Sequence, residues 1–464
     1  MSTVCNSFFA FCIHCYMLDF STVHKIHFLG IGGVSISSLA RFFFDKNYEI
    51  SGSDREHSVT LDTLTELGIR VWTGFEPQLI GNPDLVVYSS AIKKDDPELA
   101  YCLASGFQCI ERLVLLSYLC SLFEYTVAIA GTHGKTTVTS MCATVFDRAM
   151  IPHYAHIGGM SNEFGNYHYT GNKYLLIEAC EYRKSLLALS PNVSVVLNAE
   201  FDHPDTYKSK SELYDTFDTF LSNTQKGLKI VNGDNDYYAI RQNVKDVITF
   251  GLKENNHYRA ENIRETKNGC LGFDITYLGT PLFDIELSVP GEHNLLNALA
   301  TTCICHSIGI DVEIIKNALV TYKGVKRRFE NTGIFRGCNV YVDYAHHPTE
   351  INMAISTAKK IAKKGLWVVF QPHTYSRTLA LKKEFVDALS NCEKLIILTE
   401  YACREKEEDG IGAYPLYNSC INKEKYFCKS IIEVATLLTK KTAPNECILV
   451  LGAGDVINLT KILN

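Results

Sequence analysis

A short apolar run at residues 127–130 ends in a glycine-rich turn, and a helical pattern follows directly. The turn and the first helical positions are Gly131, Thr132, His133, Gly134, Lys135, Thr136 and Thr137. A strand, a glycine turn and a helix in this order are typical of a phosphate site, because backbone N–H groups and the helix N-terminus attract an anion. Lys135 is expected to reach the β- and γ-phosphates of a nucleotide, and the Thr136 hydroxyl to bind Mg²⁺. The spacing is shorter than in G-x-x-x-x-G-K-[ST], since Ile129 stands where the first glycine would be.

A second glycine turn follows the strand predicted at residues 25–29 and contains Gly30, Gly32 and Gly33. Asp54 follows the next predicted strand, about where a dinucleotide fingerprint has its ribose-binding acid. Ser35 replaces the third glycine of G-x-G-x-x-G. The turn can therefore approach a diphosphate, but NAD is only one of several candidate ligands, and a tight turn without a ligand remains the alternative.

Acidic residues and a histidine follow two predicted strands that come after the first glycine turn. The strand at residues 173–177 is followed by Glu178, and the strand at 193–197 is followed by Asp202, His203 and Asp205. Ligands of open α/β sheets collect at the carboxyl ends of the strands. We expect one or two of these side chains to bind a metal beside Lys135, which we take to be solvent-facing when no ligand is bound.

The order of strands and helices predicts an α/β fold with parallel sheets, and 464 residues suggest about three domains at ~150 residues each. We place a Rossmann-like domain at residues 23–123, a central domain of the P-loop ATPase type at 124–324, and a Rossmann-like α/β domain at 325–464. Polar clusters follow most strands of the third domain. His346 and His347 are adjacent there, and their side chains should point to opposite sides, so a shared metal is disfavoured against helix capping or substrate contact.

The composition of the chain argues against a nucleic-acid-binding protein and against a membrane-inserted protein. The formal charge of −6 argues against a nucleic-acid partner, which calls for a basic surface. The 17 cysteines show no repeated metal-ligand spacing, so we read them as reduced thiols of a cytoplasmic protein. No apolar run is long enough for membrane insertion. Residues 1–16 precede the first strand and carry no motif, and we expect a chain that starts at Met17 to fold and to be active.

The motifs together are specific enough to resemble a family, the Mur ligases. The matching segments, in the family's order, are Gly-Ile-Gly-Gly (30–33), Gly-Thr-His-Gly-Lys-Thr-Thr (131–137), Glu-Ala-Cys-Glu-Tyr-Arg (178–183), Phe-Asp-His-Pro-Asp (201–205), Pro-Gly-Glu-His-Asn-x-x-Asn (290–297), Lys-Arg-Arg-Phe-Glu (326–330), Asp-Tyr-Ala-His-His-Pro-Thr-Glu (343–350), Gln-Pro-His-x-Tyr-x-Arg (371–377) and Leu-Gly-Ala-Gly-Asp (451–455). Within the family, the resemblance is to the type that joins L-alanine to UDP-N-acetylmuramate.

The resemblance implies a role for each domain. The first would bind the UDP-sugar through Gly30, Gly32, Gly33, Asp54, Ser89 and Ser90. The second would bind ATP through Gly131, Thr132, His133, Gly134, Lys135, Thr136, Thr137, His293, Asn294 and Asn297, with Arg327 and Asp343 added from the third. Lys135 and Thr136 would hold phosphates and Mg²⁺, Glu178 would bind one Mg²⁺, and His203 would help to bind a second, with Mn²⁺ as the alternative metal. The third domain would close over both and admit the amino acid at His373 and Arg377.

The resemblance also implies a reaction in peptidoglycan precursor synthesis. ATP would phosphorylate the lactyl carboxylate of UDP-N-acetylmuramate, and the amine of L-alanine would attack the acyl phosphate. Lys135, His203, His346 and Arg377 would be the catalytic residues, in a cytoplasmic monomer or homodimer. A ligase that adds a preformed tripeptide, a nicotinamide-dependent dehydrogenase and a non-catalytic nucleotide-binding module are the alternatives. Ser35 and Ile36 depart from the family's Gly-Met after the first turn, and Val342 replaces an acid.

Overall fold

The structure is a computed structural model, and it describes residues 19–89, 91–204, 206–224, 226–240, 246–403, 405 and 412–463. The extension predicted at residues 1–16 and two residues of the predicted motifs, Ser90 and Asp205, lie outside the described residues. The described secondary structure forms three mixed α/β regions, each built around one sheet. The predicted α/β fold with three sheet-containing regions is therefore confirmed.

The first sheet has five parallel strands in the order β3-β2-β1-β4-β5. Its strands are β1 (Lys25–Leu29), β2 (Glu49–Asp54), β3 (Arg70–Thr73), β4 (Leu85–Tyr88) and β5 (Cys109–Glu111). Its helices are α1 (Val34–Asp45), α2 (Val59–Glu66), α3 (Pro77–Ile80), α4 (Pro97–Ala104) and α5 (Arg112–Ser121), after a 3₁₀ turn at Phe20–Thr22. The strand order reverses between β1 and β4, and a crevice for a ligand opens at such a reversal.

The second sheet has ten strands in the order β15-β14-β13-β12-β11-β10-β6-β9-β7-β8. They are β6 (Tyr125–Ala130), β7 (His153–Ser161), β8 (Gly165–Tyr169), β9 (Tyr174–Ala179), β10 (Val193–Val196), β11 (Leu228–Asn232), β12 (Val247–Gly251), β13 (Tyr258–Glu265), β14 (Leu271–Tyr277) and β15 (Thr280–Glu286). The helices are α6 (Lys135–Arg148), α7 (Lys210–Ser222), α8 (Asp236–Ile240), α9 (Glu292–Ser307) and α10 (Val312–Val320), with 3₁₀ segments at Tyr182–Ala188 and Lys267–Gly269. Strands β14 and β15 form an antiparallel hairpin that turns between Tyr277 and Thr280.

The third sheet has six strands in the order β16-β17-β21-β18-β19-β20, of which only the β16–β17 pair is antiparallel. The strands are β16 (Glu330–Phe335), β17 (Cys338–Asp343), β18 (Leu366–Phe370), β19 (Lys394–Leu398), β20 (Glu424–Cys428) and β21 (Cys447–Leu451). The helices are α11 (Pro348–Ile361), α12 (Tyr375–Ala380), α13 (Lys382–Leu389), α14 (Ala413–Ser419), α15 (Ile431–Lys441) and α16 (Leu459–Leu463), with a 3₁₀ turn at Asp455–Asn458. Strands β18 and β21 are buried along their whole length, because helices cover both faces of the sheet.

The hairpin of β7 and β8 was not predicted from the sequence, and it packs against α1 of the first region. The ring of Phe42 on α1 stacks on Tyr154 of β7 at 4.8 Å between centroids, inside one continuous apolar core. Asn166 of β8 donates hydrogen bonds to the Val34 carbonyl (2.6 Å) and to the Ser37 hydroxyl (2.8 Å). The first two regions are therefore joined by packing as well as by the chain.

No helix in the described part of the chain is both long and apolar enough to cross a membrane.

Candidate active site

The glycine loop at residues 131–134 follows β6, which lies between β9 and β10, and leads into α6. Gly131 and Gly134 have φ values of 143° and 86°, which favour glycine. A Cβ atom at Gly134 would also meet the Asn297 side-chain oxygen at 2.6 Å. The Asn198 side-chain oxygen accepts a hydrogen bond from the His133 amide at 2.8 Å, and its side-chain nitrogen donates to the His133 carbonyl at 3.0 Å. Asn198 and the close approach of Asn297 thus fix the conformation of the loop, and the N-terminus of α6 follows directly after it.

Lys135 is not solvent-facing, contrary to our expectation. Its side chain is only 14% exposed, and its Nζ lies 2.8 Å from Glu181 Oε2. The carbonyls of Gly131 and Thr132 accept further hydrogen bonds from Nζ. Burial alone would lower the pKa of Lys135, but the Glu181 carboxylate outweighs burial and raises that pKa. Lys135 is therefore a fixed positive charge at the loop, already oriented before a phosphate arrives.

Thr136 and Glu178 meet at the carboxyl end of β9. The Thr136 hydroxyl donates to Glu178 Oε2 at 3.1 Å, and the Gly158 amide donates to Glu178 Oε1 at 2.5 Å. Burial raises the pKa of Glu178, more than the nearby hydrogen bonds and the charge of Lys135 lower it. A hydroxyl and a buried carboxylate are hard oxygen ligands of the kind that Mg²⁺ prefers, so these two predicted metal residues fit the ion.

His203, the third predicted metal residue, lies apart from this pair. Its backbone has a positive φ of 57°, and its Nε2 lies 3.4 Å from Glu181 Oε1 and 3.6 Å from Asp202 Oδ2. Glu181 therefore connects Lys135 with His203, and Asp202 continues the row of charges away from the loop. The sequence did not single out Glu181, although it belongs to the motif at residues 178–183.

Arg377 of α12 reaches across to Asp202 and binds it with two nitrogen atoms. Nε lies 3.0 Å from Oδ1 and Nη2 lies 3.2 Å from Oδ2. Burial alone would raise the pKa of Asp202, but the charges of His203 and Arg377 hold that pKa well below its usual range. The remaining nitrogen, Nη1, lies 3.4 Å from His373 Nδ1. Arg377, one of the two residues predicted to contact the amino acid, therefore already binds Asp202 with part of its guanidinium group.

His346 and His373 are partly buried neighbours of this pair. Their ring centroids lie 5.9 Å apart, and His346 Nδ1 donates to the Tyr344 carbonyl at 2.9 Å. Burial, helped by the positive charge of Arg377, lowers the pKa of His346 to about 3 and that of His373 to about 4. Both rings are therefore neutral near pH 7, and Nε2 of His346 is left to accept a hydrogen bond.

A pocket of about 180 Å³ opens beside the glycine loop, between the second and third regions. Its lining includes the predicted residues His133, Gly134, Thr137, His293, Asn297 and Asp343. Burial lowers the pKa of His293 to about 4 and raises that of Asp343 to about 6. Apolar contacts come from Leu197, Phe250 and Leu296, so the pocket offers both apolar walls and polar groups.

Of the predicted ATP-binding residues outside the segment 131–137, Arg327 and Asn294 do not line this pocket. Arg327 donates to the carbonyls of Gly452 (2.7 Å) and Gly454 (3.1 Å), while its neighbour Arg328 faces the pocket. Asn294 is buried behind the wall, where its side chain donates to the Pro290 carbonyl at 2.7 Å and accepts from Asn297 at 3.1 Å. Asn294 therefore orients Asn297, which lines the pocket, and does not line the pocket itself.

The glycine turn of the first region lies at the carboxyl ends of β1, β2 and β4, as predicted. The Gly32 amide donates to Asp54 Oδ2 at 2.9 Å, and a Cβ atom at Gly32 would meet that oxygen at the same distance. A Cβ atom at Gly30 would lie 3.5 Å from that of Ser89. Gly33 is the N-cap of α1. Asp54 thus holds the turn itself, which is a structural role beside the ligand contact that we predicted.

Ser35, on the first turn of α1, is part of a hydrogen-bond chain into the second region. Arg112 donates to the Ser35 hydroxyl at 2.6 Å, and that hydroxyl lies 2.7 Å from His156 Nε2. Nδ1 of His156 lies 3.0 Å from the Tyr154 hydroxyl. Burial, with help from Arg112, lowers the pKa of His156 to about 3. A neutral His156 accepts at Nε2 and donates at Nδ1, so each hydrogen in the chain has a defined direction.

The residues of all three regions are covered by family models. The model described as "Mur ligase family, catalytic domain" matches residues 25–124, the "Mur ligase middle domain" matches 129–305, and the "Mur ligase, glutamate ligase domain" matches 327–454. A relative from Clostridium tetani, a UDP-N-acetylmuramate--L-alanine ligase, is 36% identical over 441 residues, which cover 94% of this chain and 96% of the relative. The chain belongs to the Mur ligase family.

Solved structures agree with this assignment. A UDP-N-acetylmuramate-alanine ligase from Thermotoga maritima superposes with a TM-score of 0.81 at 28% identity, over 95% of this chain and 98% of that one. A murein peptide ligase from Psychrobacter arcticus has the same fold, with a TM-score of 0.70 at 21% identity, over 95% of this chain and 98% of that one. The resemblance that the motifs predicted is confirmed at the level of the family.

A second cleft of this Mur ligase is lined by all three regions. The first contributes Ile92, Lys93 and Lys94, the second Tyr182, Arg183, His203 and Pro204, and the third His373, Ser376, Arg377 and Glu405. Its volume is about 660 Å³. Arg183 and Lys184 both have positive φ values, 51° and 57°, so the backbone is strained where it borders the cleft. The basic residues Lys93, Lys94 and Arg183 were not predicted as site residues. Lys93 and Lys94 belong to no motif, and Arg183 ends the motif at residues 178–183 without a role of its own.

Proposed function

We propose that this Mur ligase joins L-alanine to the lactyl carboxylate of UDP-N-acetylmuramate, with cleavage of ATP to ADP and phosphate. The observation that carries the proposal is the cleft shared by all three regions, which is basic and lies beside the row Lys135–Glu181–His203. A site of this form can receive an anionic sugar nucleotide from one side and a nucleotide phosphate from another. The names of the relatives support the choice of substrates.

ATP is assigned to the pocket beside the glycine loop. Its apolar walls suit a purine base, and the loop and the first turn of α6 offer backbone N–H groups to the phosphates. Lys135 would contact the β- and γ-phosphates, and Arg328 takes the place that we predicted for Arg327. The sugar nucleotide is assigned to the turn at residues 30–33, with its lactyl group in the shared cleft. We retain the domain limits 23–123, 124–324 and 325–464 as part of the proposal.

Mg²⁺, bound by Thr136 and Glu178, would neutralise charge on the transferring phosphoryl group. In the first step an oxygen of the lactyl carboxylate attacks the γ-phosphorus, the bond to the β–γ bridging oxygen breaks, and ADP leaves. Lys135 is held by Glu181 at 2.8 Å, so its charge needs little reorganisation as the transition state forms.

In the second step the amine of L-alanine attacks the acyl carbon, phosphate leaves and an amide remains. Arg377 is assigned to the alanine carboxylate, for which its planar fork is suited. His346 is neutral at pH 7, so its role is to accept a hydrogen bond that orients the amine rather than to store a proton. The contacts between the second and third regions close the site and keep water from the acyl phosphate.

Release of phosphate from ATP tests the proposal directly. With UDP-N-acetylmuramate present, L-alanine should start phosphate release, and omission of either substrate should stop it. Phosphate release that depends on a preformed tripeptide instead of L-alanine would identify the chain as a tripeptide-adding ligase. The absence of phosphate release with every amine tested would refute ligase activity. Since ATP and nucleotide sugars are both substrates, we place the reaction in the cytoplasm, as a step of peptidoglycan precursor synthesis.

A further inference from the structure

Three possible metal ligands meet at the boundary between the second and third regions, away from Thr136 and Glu178. They are His133 of the glycine loop, Glu200 after β10, and His347, which caps α11. One nitrogen or oxygen atom of each lies within 4.8 Å of the others. His133 Nε2 is 3.5 Å from Glu200 Oε2, and His347 Nδ1 is 3.8 Å from the same oxygen. Tetrahedral ligands about 2.1 Å from a zinc ion are roughly 3.4 Å apart, close to the separation of His133 Nε2 and Glu200 Oε2. Nδ1 of His347 accepts the Thr349 amide as the cap of α11, so His347 would bind the ion through Nε2.

The surroundings orient these ligands as in a built site. Nδ1 of His133 lies 3.0 Å from Glu350 Oε1, which turns Nε2 towards Glu200. A ligating histidine usually donates its other ring N–H to a carboxylate in this way. The Thr349 hydroxyl donates to Glu200 Oε2 and holds that carboxylate in place. His347 is only 6% exposed.

One nitrogen atom of the cluster lacks a hydrogen-bond partner. Among the described residues, none hydrogen-bonds to the buried Nε2 of His347, whereas Nε2 of His133 faces the Glu200 carboxylate at 3.5 Å. A buried imidazole nitrogen without a partner is unfavourable, and a bound cation would remove this cost. Two imidazoles and one carboxylate favour Zn²⁺ or a similar borderline ion over Mg²⁺, which prefers oxygen ligands alone.

We propose that His133, Glu200 and His347 form an inhibitory site for a divalent cation of the zinc class, which bridges the second and third regions. His133 and Glu200 also line the pocket assigned to ATP, so a cation there would occupy its edge. It would also tie α11 to the glycine loop, and exchange of nucleotide requires that these parts separate. The site is distinct from the Mg²⁺ pair Thr136 and Glu178, and its binding of metal does not depend on the proposed reaction.

Cobalt titration of the full chain without nucleotide tests the site, because Co²⁺ replaces Zn²⁺ and absorbs visible light. The wild type should bind one equivalent more than His347→Ala or Glu200→Gln. Glu350→Gln should keep the site but weaken it by about 10- to 100-fold, as loss of an orienting carboxylate does. The matched control is His57→Ala, which removes an exposed histidine 2.8 Å from Asp62 and should bind as the wild type does.

A cysteine thiolate that bound cobalt would add a charge-transfer band in the near ultraviolet. A difference between wild type and variant counts for this site only where that band is unchanged. Zn²⁺ should also raise the Tm of the wild type and leave that of Glu200→Gln unchanged, because only the wild type binds the ion when folded. Equal visible absorption and equal affinity in the wild type and Glu200→Gln would overturn the proposal. Glu200→Gln is nearly isosteric, so this comparison stands even where His347→Ala does not fold. ATP-dependent phosphate release, measured separately without zinc, tests the proposed function alone.

Discussion

Arg377 in the third region and Asp202 in the second form a two-pronged ion pair, with N–O distances of 3.0 and 3.2 Å. The side chains are only 8% and 6% exposed, so the pair is buried between the two regions. Glu350 joins the regions in the same way through His133 at 3.0 Å. An amino-acid carboxylate at Arg377 must therefore share the guanidinium with Asp202 or replace it.

Substitution Arg377→Lys tests this assignment. Lysine keeps the charge but loses the planar fork, so it cannot hold Asp202 and a substrate carboxylate together. We expect the KM for L-alanine to rise by about tenfold or more, roughly the value of one charge-assisted hydrogen bond. The KM for UDP-N-acetylmuramate should change little. If only the sugar nucleotide binds more weakly, Arg377 belongs to the other substrate.

Substitution Lys135→Ala removes the charge that the glycine loop presents to the transferring phosphate. Turnover should fall by about 100-fold or more, as for other single electrostatic contacts of a transition state. Stability should fall as well, because Glu181 is 3% exposed and would keep only His203, at 3.4 Å, beside its charge. Chemical denaturation and phosphate release measure the two effects separately.

The double variant Lys135→Ala/Glu181→Gln is the matched control for that experiment. A neutral glutamine removes the unpaired charge, so much of the lost stability should return while turnover stays low. A double variant as active as the wild type would contradict the assignment of Lys135 to the phosphate.

Local patterns predicted the glycine loops and most strands, but not the pairing of charged residues. The loop at residues 131–134 is recognisable because its glycines, lysine and threonine are contiguous. The pair Asp202–Arg377 joins residues 175 positions apart, and only the packing of two regions brings them together. Arg327 and Arg328 are adjacent in one motif, and the positive φ of 61° at Arg327 helps to decide which of them faces the pocket. That backbone angle is not visible in the sequence.

His156 should make the contact between the first two regions sensitive to acid. Its folded pKa of about 3 lies below the ordinary histidine value of 6.5, because the ring is buried and close to Arg112. Between pH 3 and pH 6.5 the unfolded chain binds a proton at His156 that the folded chain does not, so the free energy of unfolding rises with pH in this range. Above pH 6.5 the contribution of His156 to stability is fully present. The slope from one proton is about 1.4 kcal/mol per pH unit. His156→Gln can keep the hydrogen bond to Ser35 but cannot titrate, so the contribution of one proton to the pH dependence of its unfolding free energy should be missing between pH 4 and 6. The same pH dependence in the variant and the wild type would refute the role of His156.

Substitution Glu178→Gln should raise the Mg²⁺ concentration needed for half-maximal turnover. Glutamine can still accept from the Gly158 amide but has lost the negative charge beside Thr136. We expect an increase of about tenfold or more, on the order of one lost charge-assisted contact. The pair Arg148–Glu163 supplies a control, since Glu163→Gln should leave the Mg²⁺ dependence unchanged.

The order of the chemical steps can be read from the fate of one oxygen atom. A carboxylate that an amine attacked directly would have to expel oxide, which the charges beside the loop could not stabilise adequately. The glycine loop with Lys135, and Glu178 with Thr136, favour phosphoryl transfer to the substrate before the amide forms. An acyl-enzyme would need a thiol or hydroxyl activated by a base. Cys180 is beside Lys135, but burial raises the pKa of its thiol, which makes it a poor nucleophile.

We therefore expect heavy oxygen placed in the lactyl carboxylate to be divided between two products after one turnover with L-alanine. One labelled oxygen should leave in inorganic phosphate, the other should stay in the new amide, and ADP should carry none. Mass spectrometry of phosphate and of the nucleotide measures both. The control omits L-alanine, so that the amide cannot form and label in phosphate can come only from hydrolysis of the acyl phosphate. Label in AMP would mean that the carboxylate is adenylated at the α-phosphate. The assignment of Lys135 to transfer of the γ-phosphate would then be wrong.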